Sequence, residues 1–161
     1  MIREATTDDA EAMLDIYNYY ILNTVATFEQ SALSKQDFIA RIERVQQSAL
    51  LWLVALQDDK VLGYAYSSLW NERAAYRHTV EISVYLSNSV LSKGWGTQLY
   101  EALFSGLRKK SIHSVIRGIT LPNSASVAIH EKFGMKQVAQ FKQVGFKFGQ
   151  WLDVGYWQVR L

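Results

Sequence analysis

His78-Thr79-Val80-Glu81-Ile82-Ser83-Val84-Tyr85-Leu86, followed closely by Ser92-Lys93-Gly94-Trp95-Gly96-Thr97, is the stretch on which the fold of this chain turns. Its first part alternates. His78, Val80, Ile82, Val84 and Leu86 fall on one side and Thr79, Glu81, Ser83 and Tyr85 on the other, which predicts a strand. A carboxylate on such a strand either faces solvent, pairs with a cation such as Arg77 or His78, or has a function. Past the second part, Leu99, Leu103 and Leu107 recur at helical spacing. Strand, glycine loop and helix in that order form an arrangement in which backbone N–H groups approach a phosphate and the positive end of the helix faces it. A Gly-x-Gly before a helix is also an ordinary tight turn. The loop lacks the Gly-Lys-Ser/Thr ending of an ATP-binding loop and the third glycine of the dinucleotide fingerprint, which argues against ATP and NAD.

Working outward, Val115 to Thr120 reads as a strand. Asn123 and Ser124 offer caps for a short helix through Phe133, and Gly134 ends it. Two aromatic-rich strands, about Met135 to Phe146 and Trp151 to Arg160, close the chain. Upstream, Leu50 to Leu56 and Val61 to Leu69 flank Gln57-Asp58-Asp59-Lys60 and predict a hairpin. Ser34-x-x-Asp37 predicts the start of a helix whose Phe38, Ile42 and Val45 share a face. Thr7-Asp8-Asp9 is expected to cap an earlier helix carrying Met13, Leu14, Tyr17 and Tyr20, after a short strand near Ile2 to Ala5. The order β-α-α-β-β-β-α-β-α-β-β implies an α/β fold, a mixed sheet of about seven strands flanked by four helices.

The 161 residues fit one domain over 1–161, with no repeat, no low-complexity run and a single proline, Pro122. The 17 basic and 15 acidic residues nearly balance, and their scatter gives no reason to expect a nucleic-acid partner. Arg108 to Lys110 is expected at a helix end, where cations oppose the dipole. The chain has no cysteine, which excludes disulfides, thiolate zinc sites and a cysteine nucleophile. His78, His113 and His130 lack metal-ligand spacing, so no metal is expected. Met1-Ile2-Arg3-Glu4 runs into a polar segment without a signal core, and no apolar run is of membrane length. The expectation is a soluble cytoplasmic protein without a membrane partner.

The strand, the loop Ser92 to Thr97 and the following helix resemble the pyrophosphate-binding region of GNAT acetyltransferases. Within that superfamily the chain resembles the phosphinothricin and methionine sulfoximine acetyltransferase group. Three segments carry this: Thr79 to Tyr85; Leu121-Pro122-Asn123-Ser124-Ala125-Ser126 with His130-Glu131; and Gly145-Phe146-Lys147-Phe148-Gly149-Gln150-Trp151-Leu152-Asp153-Val154-Gly155. One departure is Leu91, three residues before the first loop glycine, where the superfamily usually has Gln or Arg.

The resemblance implies acetyl-CoA as co-substrate and a small amino-acid-like amine as acceptor. It assigns Ser92, Lys93, Gly94, Trp95, Gly96 and Thr97 to the pyrophosphate, and Val84, Tyr85 and Leu86 to the pantetheine arm and oxyanion. Asn123 becomes a coenzyme contact, a role compatible with capping a helix. Glu81 becomes the general base that the protonated amine requires. His130 stands where many relatives use a tyrosine as acid, although a structural hydrogen bond is an equal reading. Phe28 and Glu29 would shape the amine pocket. Arg73, Tyr76 and Arg77 precede the strand, and the arginines could anchor a carboxylate or phosphinate, or belong to a solvated turn. The aromatics near the end suit a core or a homodimer surface.

Overall fold

In the computed structural model, which describes residues 1–161, seven strands form one sheet in the order β1-β2-β3-β4-β5-β7-β6. The strands are β1 (Ile2–Glu4), β2 (Trp52–Gln57), β3 (Lys60–Leu69), β4 (Thr79–Leu86), β5 (Ser114–Leu121), β6 (Lys136–Lys147) and β7 (Gln150–Arg160). The helices are α1 (Ala10–Asn23), α2 (Lys35–Gln47), α3 (Trp95–Lys109) and α4 (Ser124–Lys132). The expected order and mixed sheet are present. No helix is long and apolar enough to cross a membrane.

Local chemistry explains most boundaries. Ser34 Oγ accepts from Asp37 N at 3.1 Å and starts α2, whose Phe38, Ile42 and Val45 are buried. Asp58 and Asp59 both take positive φ, 51° and 59°, in a turn whose twist matches the β2–β3 hairpin. The start of α1 differs from expectation. Thr7–Asp9 forms a 3-10 turn, and the Asp9 carboxylate makes no cap to α1. It accepts instead from Thr6 N at 2.8 Å and from the Arg3 guanidinium at 2.7 and 2.8 Å. The hydrogen bonds from Arg3, against the opposing effect of burial, hold the Asp9 carboxyl below its usual range.

The core lies on both faces of the sheet. Tyr17 of α1 and Phe38 of α2 pack on Trp52, Tyr64 and Tyr85, which share one face through the register Trp52↔Tyr66, Val54↔Tyr64 and Tyr64↔Tyr85. On the opposite face, Val80, Ile82 and Val115 join the buried Leu99, Leu103 and Leu107 of α3. The three leucines at i, i+4 and i+8 thus do what their spacing implies.

The parting of two central strands positions the candidate site. β4 and β5 run parallel and pair only at Thr79↔Ser114, Val80↔Val115 and Glu81↔Ile116. Beyond Glu81, β4 continues along β3 as far as Gly63↔Leu86, while β5 follows β7 from Ser114↔Arg160 to Leu121↔Asp153. The two central strands therefore part, and the β5-facing edge of β4 from Ile82 onward has no backbone ladder.

Candidate active site

The wedge between β4 and β5 opens into a cleft of about 530 Å³. Val84, Tyr85 and Leu86 form one wall, Ile119, Thr120 and Asn123 another, and Ser92, Gly94, Gly96 and Thr97 one end. Thus most of the residues expected to hold coenzyme A meet in a single space. Gly94 sits at φ 82° as the N-cap of α3, a conformation glycine adopts without strain. Gly96 is close-packed: a Cβ there would lie 3.2 Å from Ile129 Cδ1 and 3.5 Å from Leu86 Cδ1. Loop glycines and the N-terminus of α3 thereby face the same opening, the geometry of an anion site.

Two members of the expected loop set do not line the cleft. Lys93 is exposed, and Trp95 is half-buried against the hydrophobic core. Leu91, the departure from the usual pattern, does line it. Asn123 caps α4, its side-chain oxygen accepting from Ser126 N at 3.1 Å, and the residue also borders the cleft.

Glu81 lies outside the cleft wall, at the last rung shared by β4 and β5. Its neighbour is neither Arg77 nor His78 but Arg117 of β5, with Nη1 3.9 Å from Oε1. That separation is an ion pair without a hydrogen bond. Arg117 instead donates through Nη1 to Ser83 Oγ at 2.6 Å and to Ile82 O at 3.2 Å. It thereby satisfies a β4 carbonyl that β5 backbone no longer reaches. The register puts Val115 and Ile119 on the α3 face and Ser83 on the other, so the Arg117 side chain threads the wedge. Arg117 itself lines the cleft. Burial works against its charge, but Tyr85, Tyr100 and Glu81 outweigh that and its pKa is raised. Tyr156 of β7 stands near the same pair, and burial and the negative charge of Glu81 raise its pKa.

Arg117 is the functional candidate absent from the sequence reading. Its signal was present: one cation in Val115-Ile116-Arg117-Gly118-Ile119, a run otherwise suited to a buried strand, requires a partner or a purpose.

His130 does not suit the role of acid. It is 2% exposed and does not border the cleft. Nδ1 lies 2.6 Å from Ser126 O, which can only accept, so Nδ1 carries the proton, and Nε2 accepts from Tyr100 Oη at 2.9 Å. Burial pulls its pKa down to about 4, leaving a neutral ring at neutral pH with neither nitrogen free. Its hydrogen bonds tie α4 to α3.

The residues expected to contact the acceptor are dispersed. Arg73, Tyr76 and Arg77 are exposed, and the only side-chain hydrogen bond among them runs from Arg77 to Ala74 O at 3.1 Å. Phe28 packs over Gly145 of β6. Glu29 is held by Arg41 and by the Tyr17 hydroxyl. Burial opposes its ionisation, yet those hydrogen bonds prevail and keep its carboxyl below the usual range. The nearly buried Lys147 of β6 donates to Thr27 O at 2.7 Å. The α1–α2 loop is thus pinned to β6, and Glu29 is committed to that support.

A model described as an acetyltransferase (GNAT) domain matches residues 2–155. The chain is 38% identical over 157 residues to the phosphinothricin N-acetyltransferase of Streptomyces viridochromogenes, covering 98% of this chain and 85% of the relative. It is 34% identical over 160 residues to the L-methionine sulfoximine/L-methionine sulfone acetyltransferase of Salmonella typhimurium, covering 99% and 94%. The fold superposes with TM-score 0.97 on a phosphinothricin acetyltransferase from Sinorhizobium meliloti in complex with AcCoA, at 33% identity and 100% and 88% coverage. It also superposes with TM-score 0.97 on a ribosomal-protein-alanine N-acetyltransferase from Brucella melitensis, at 34% identity and 100% and 99% coverage. With its wedge, its glycine loop and this likeness over nearly its whole length, the chain belongs to the GNAT acetyltransferase family.

Proposed function

We propose that the chain is a single-domain cytoplasmic enzyme that moves an acetyl group from acetyl-CoA directly to the primary amine of a small amino-acid-like substrate. Phosphinothricin, methionine sulfoximine and methionine sulfone exemplify the class. The observation that carries this reading is the position of Glu81 at the closed end of the wedge whose open part is the cleft. An acceptor amine and a donor thioester could meet there.

The residues fit the co-substrate. Backbone donors of the loop Ser92–Thr97 and the N-terminus of α3 would hold the pyrophosphate. The unladdered edge of β4 at Val84, Tyr85 and Leu86 would pair with the amide groups of the pantetheine arm as an added strand does. Tyr20 Oη already donates to Leu86 O at 2.8 Å and holds that end of β4 in place. Acetyl-CoA supplies the acetyl group as a thioester. Glu81, half-exposed, takes the proton that an ammonium must lose before it can attack, directly or through water. A backbone N–H in the Val84–Leu86 stretch stabilises the developing oxyanion. No covalent enzyme intermediate is required.

Homodimerisation is supported by the β6–β7 hairpin, where Phe141, Val144, Phe146, Phe148 and Trp151 are each more than half exposed. A second reading, transfer to a peptide N-terminus, draws on the likeness to the Brucella melitensis structure. Release of coenzyme A thiol, measured with acetyl-CoA across the three amino-acid analogues, a polyamine and a short peptide, separates the readings. Turnover of the analogues is the expected result. Preference for the peptide or polyamine would overturn the substrate class, and acetyl-CoA binding without any turnover would make the protein a coenzyme A sensor.

A further inference from the structure

Arg117 is a largely but not fully buried cation with donors to spare. Only Nη1 is engaged, by Ser83 Oγ and Ile82 O, while Nε and Nη2 have no partner within the protein. Neither is sealed in the core, since the only buried side-chain nitrogen or oxygen without a partner is Trp52 Nε1. Arg117 borders the cleft, and its unengaged donors stay accessible beside the Glu81 end of the wedge. The nearest carboxylate, Glu81, stays at 3.9 Å and consumes none of them. A guanidinium so placed is a receptor for an anion: its planar fork matches a carboxylate or phosphinate in a way no backbone group does.

Glu81 and Arg117 together set two charges of opposite sign side by side at the closed end of the wedge. In an α-amino acid the carboxyl carbon lies about 2.5 Å from the amine nitrogen, which the bond lengths N–Cα and Cα–C dictate. A cation 3.9 Å from the base is therefore within reach of the carboxylate of any α-amino acid whose amine approaches that base. Building on the function proposed above, we infer that Glu81 and Arg117 read the acceptor as a zwitterion, Glu81 facing the ammonium and Arg117 binding the α-carboxylate. The pair selects free α-amino acids over amines that lack that group. A polyamine would place a second cation against Arg117, and a peptide N-terminus would offer a neutral carbonyl there.

The test compares methionine sulfone with its carboxamide, which keeps the amine and side chain and removes only the negative charge. Steady-state thiol release is measured for the unmodified protein, Arg117→Met and Arg117→Lys, with acetyl-CoA affinity and thermal melting followed alongside. The unmodified protein should show a KM for the acid roughly ten- to hundredfold below that for the amide. Arg117→Met should abolish that preference by raising KM for the acid alone, and Arg117→Lys should restore part of it. Equal KM values for acid and amide in the unmodified protein, or an equal rise for both in Arg117→Met, would overturn the inference while leaving amino-acid acetylation standing. Where Arg117→Met does not fold, the acid–amide comparison in the unmodified protein can still overturn the inference, and Arg117→Lys, set against Arg73→Ala and Arg77→Ala, assigns the anchor: a preference weakened only in Arg117→Lys supports it, and one weakened only at Arg73 or Arg77 overturns it. Turnover confined to peptides or polyamines would overturn both the inference and the function on which it rests.

Discussion

The two sides of the wedge between β4 and β5 are built from different kinds of material. The cleft side takes one wall and one end from the run Val84 to Thr97, which presents glycines, strand edge and a helix N-terminus, and its other wall from β5 and the start of α4 at Ile119, Thr120 and Asn123. The Glu81 side gathers single side chains: Glu81 from β4, Arg117 from β5 and Tyr156 from β7. Backbone recognition tolerates changes of side chain such as Leu91, because the donors belong to the chain itself. Side-chain recognition does not, since each group reaches the site by its own strand. Substitutions on the two sides should therefore separate co-substrate effects from acceptor effects.

The sharpest separation is expected at Glu81. Glu81→Gln keeps the shape and removes the base, and kcat/KM should fall by at least about a hundredfold, with acetyl-CoA affinity and melting temperature unchanged. A parallel loss of acetyl-CoA binding would break the division between the two sides.

His130 tests whether the tie between α3 and α4 is structural. Its ring stays neutral in the folded protein down to about 4, against 6.5 in the unfolded chain. As pH falls below the unfolded value, the unfolded state binds a proton that the folded state refuses, so stability is full above about 6.5 and declines toward 4. The loss should be on the order of 3 kcal/mol, measured by urea unfolding between those pH values. In His130→Gln that part of the pH dependence should vanish, with kcat retained within a few-fold at neutral pH. A collapse of kcat in a folded variant would return His130 to the role of acid.

A cleft-side change comes next in size. In Gly96→Leu the added side chain must displace Ile129 or Leu86 or project into the opening. KM for acetyl-CoA should rise about tenfold while KM for the amine holds. A rise confined to the amine would reverse the assignment of the two sides. The smallest effects are expected at Arg73→Ala and Arg77→Ala. Both side chains are exposed, and KM for an amino-acid acceptor should move within about threefold, less than for Arg117→Met. A larger rise at either would place the carboxylate anchor in the turn before β4.

The order of elements and the glycine loop before α3 were legible because each is announced locally. The Leu99, Leu103 and Leu107 spacing, the Ser34 cap, the Asp58-Asp59 turn and Gly94 speak within a few residues of themselves. The pairing of Glu81 was not legible. Its neighbours in sequence, Arg77 and His78, are near the wrong end of the strand, while Arg117 lies 36 residues away and arrives through a parallel pairing with β5. The start of α1 was not legible for a related reason. Asp9 has the composition of a helix cap, but the strand β1 brings Arg3 beside it, and a bidentate guanidinium outcompetes a helix terminus.

By itself, then, the amino-acid sequence determined the sequence of strands and helices, the glycine loop before α3 and the presence of a carboxylate on β4, all products of short-range periodicity and backbone freedom. Only the tertiary structure decided that β4 and β5 part after three rungs, that His130 is sealed between α4 and α3, and that Arg117 crosses the wedge to stand beside Glu81. Those outcomes depend on which strands become neighbours and how long they stay paired. That is settled by the packing of the whole sheet against its helices, and no window along the chain contains it.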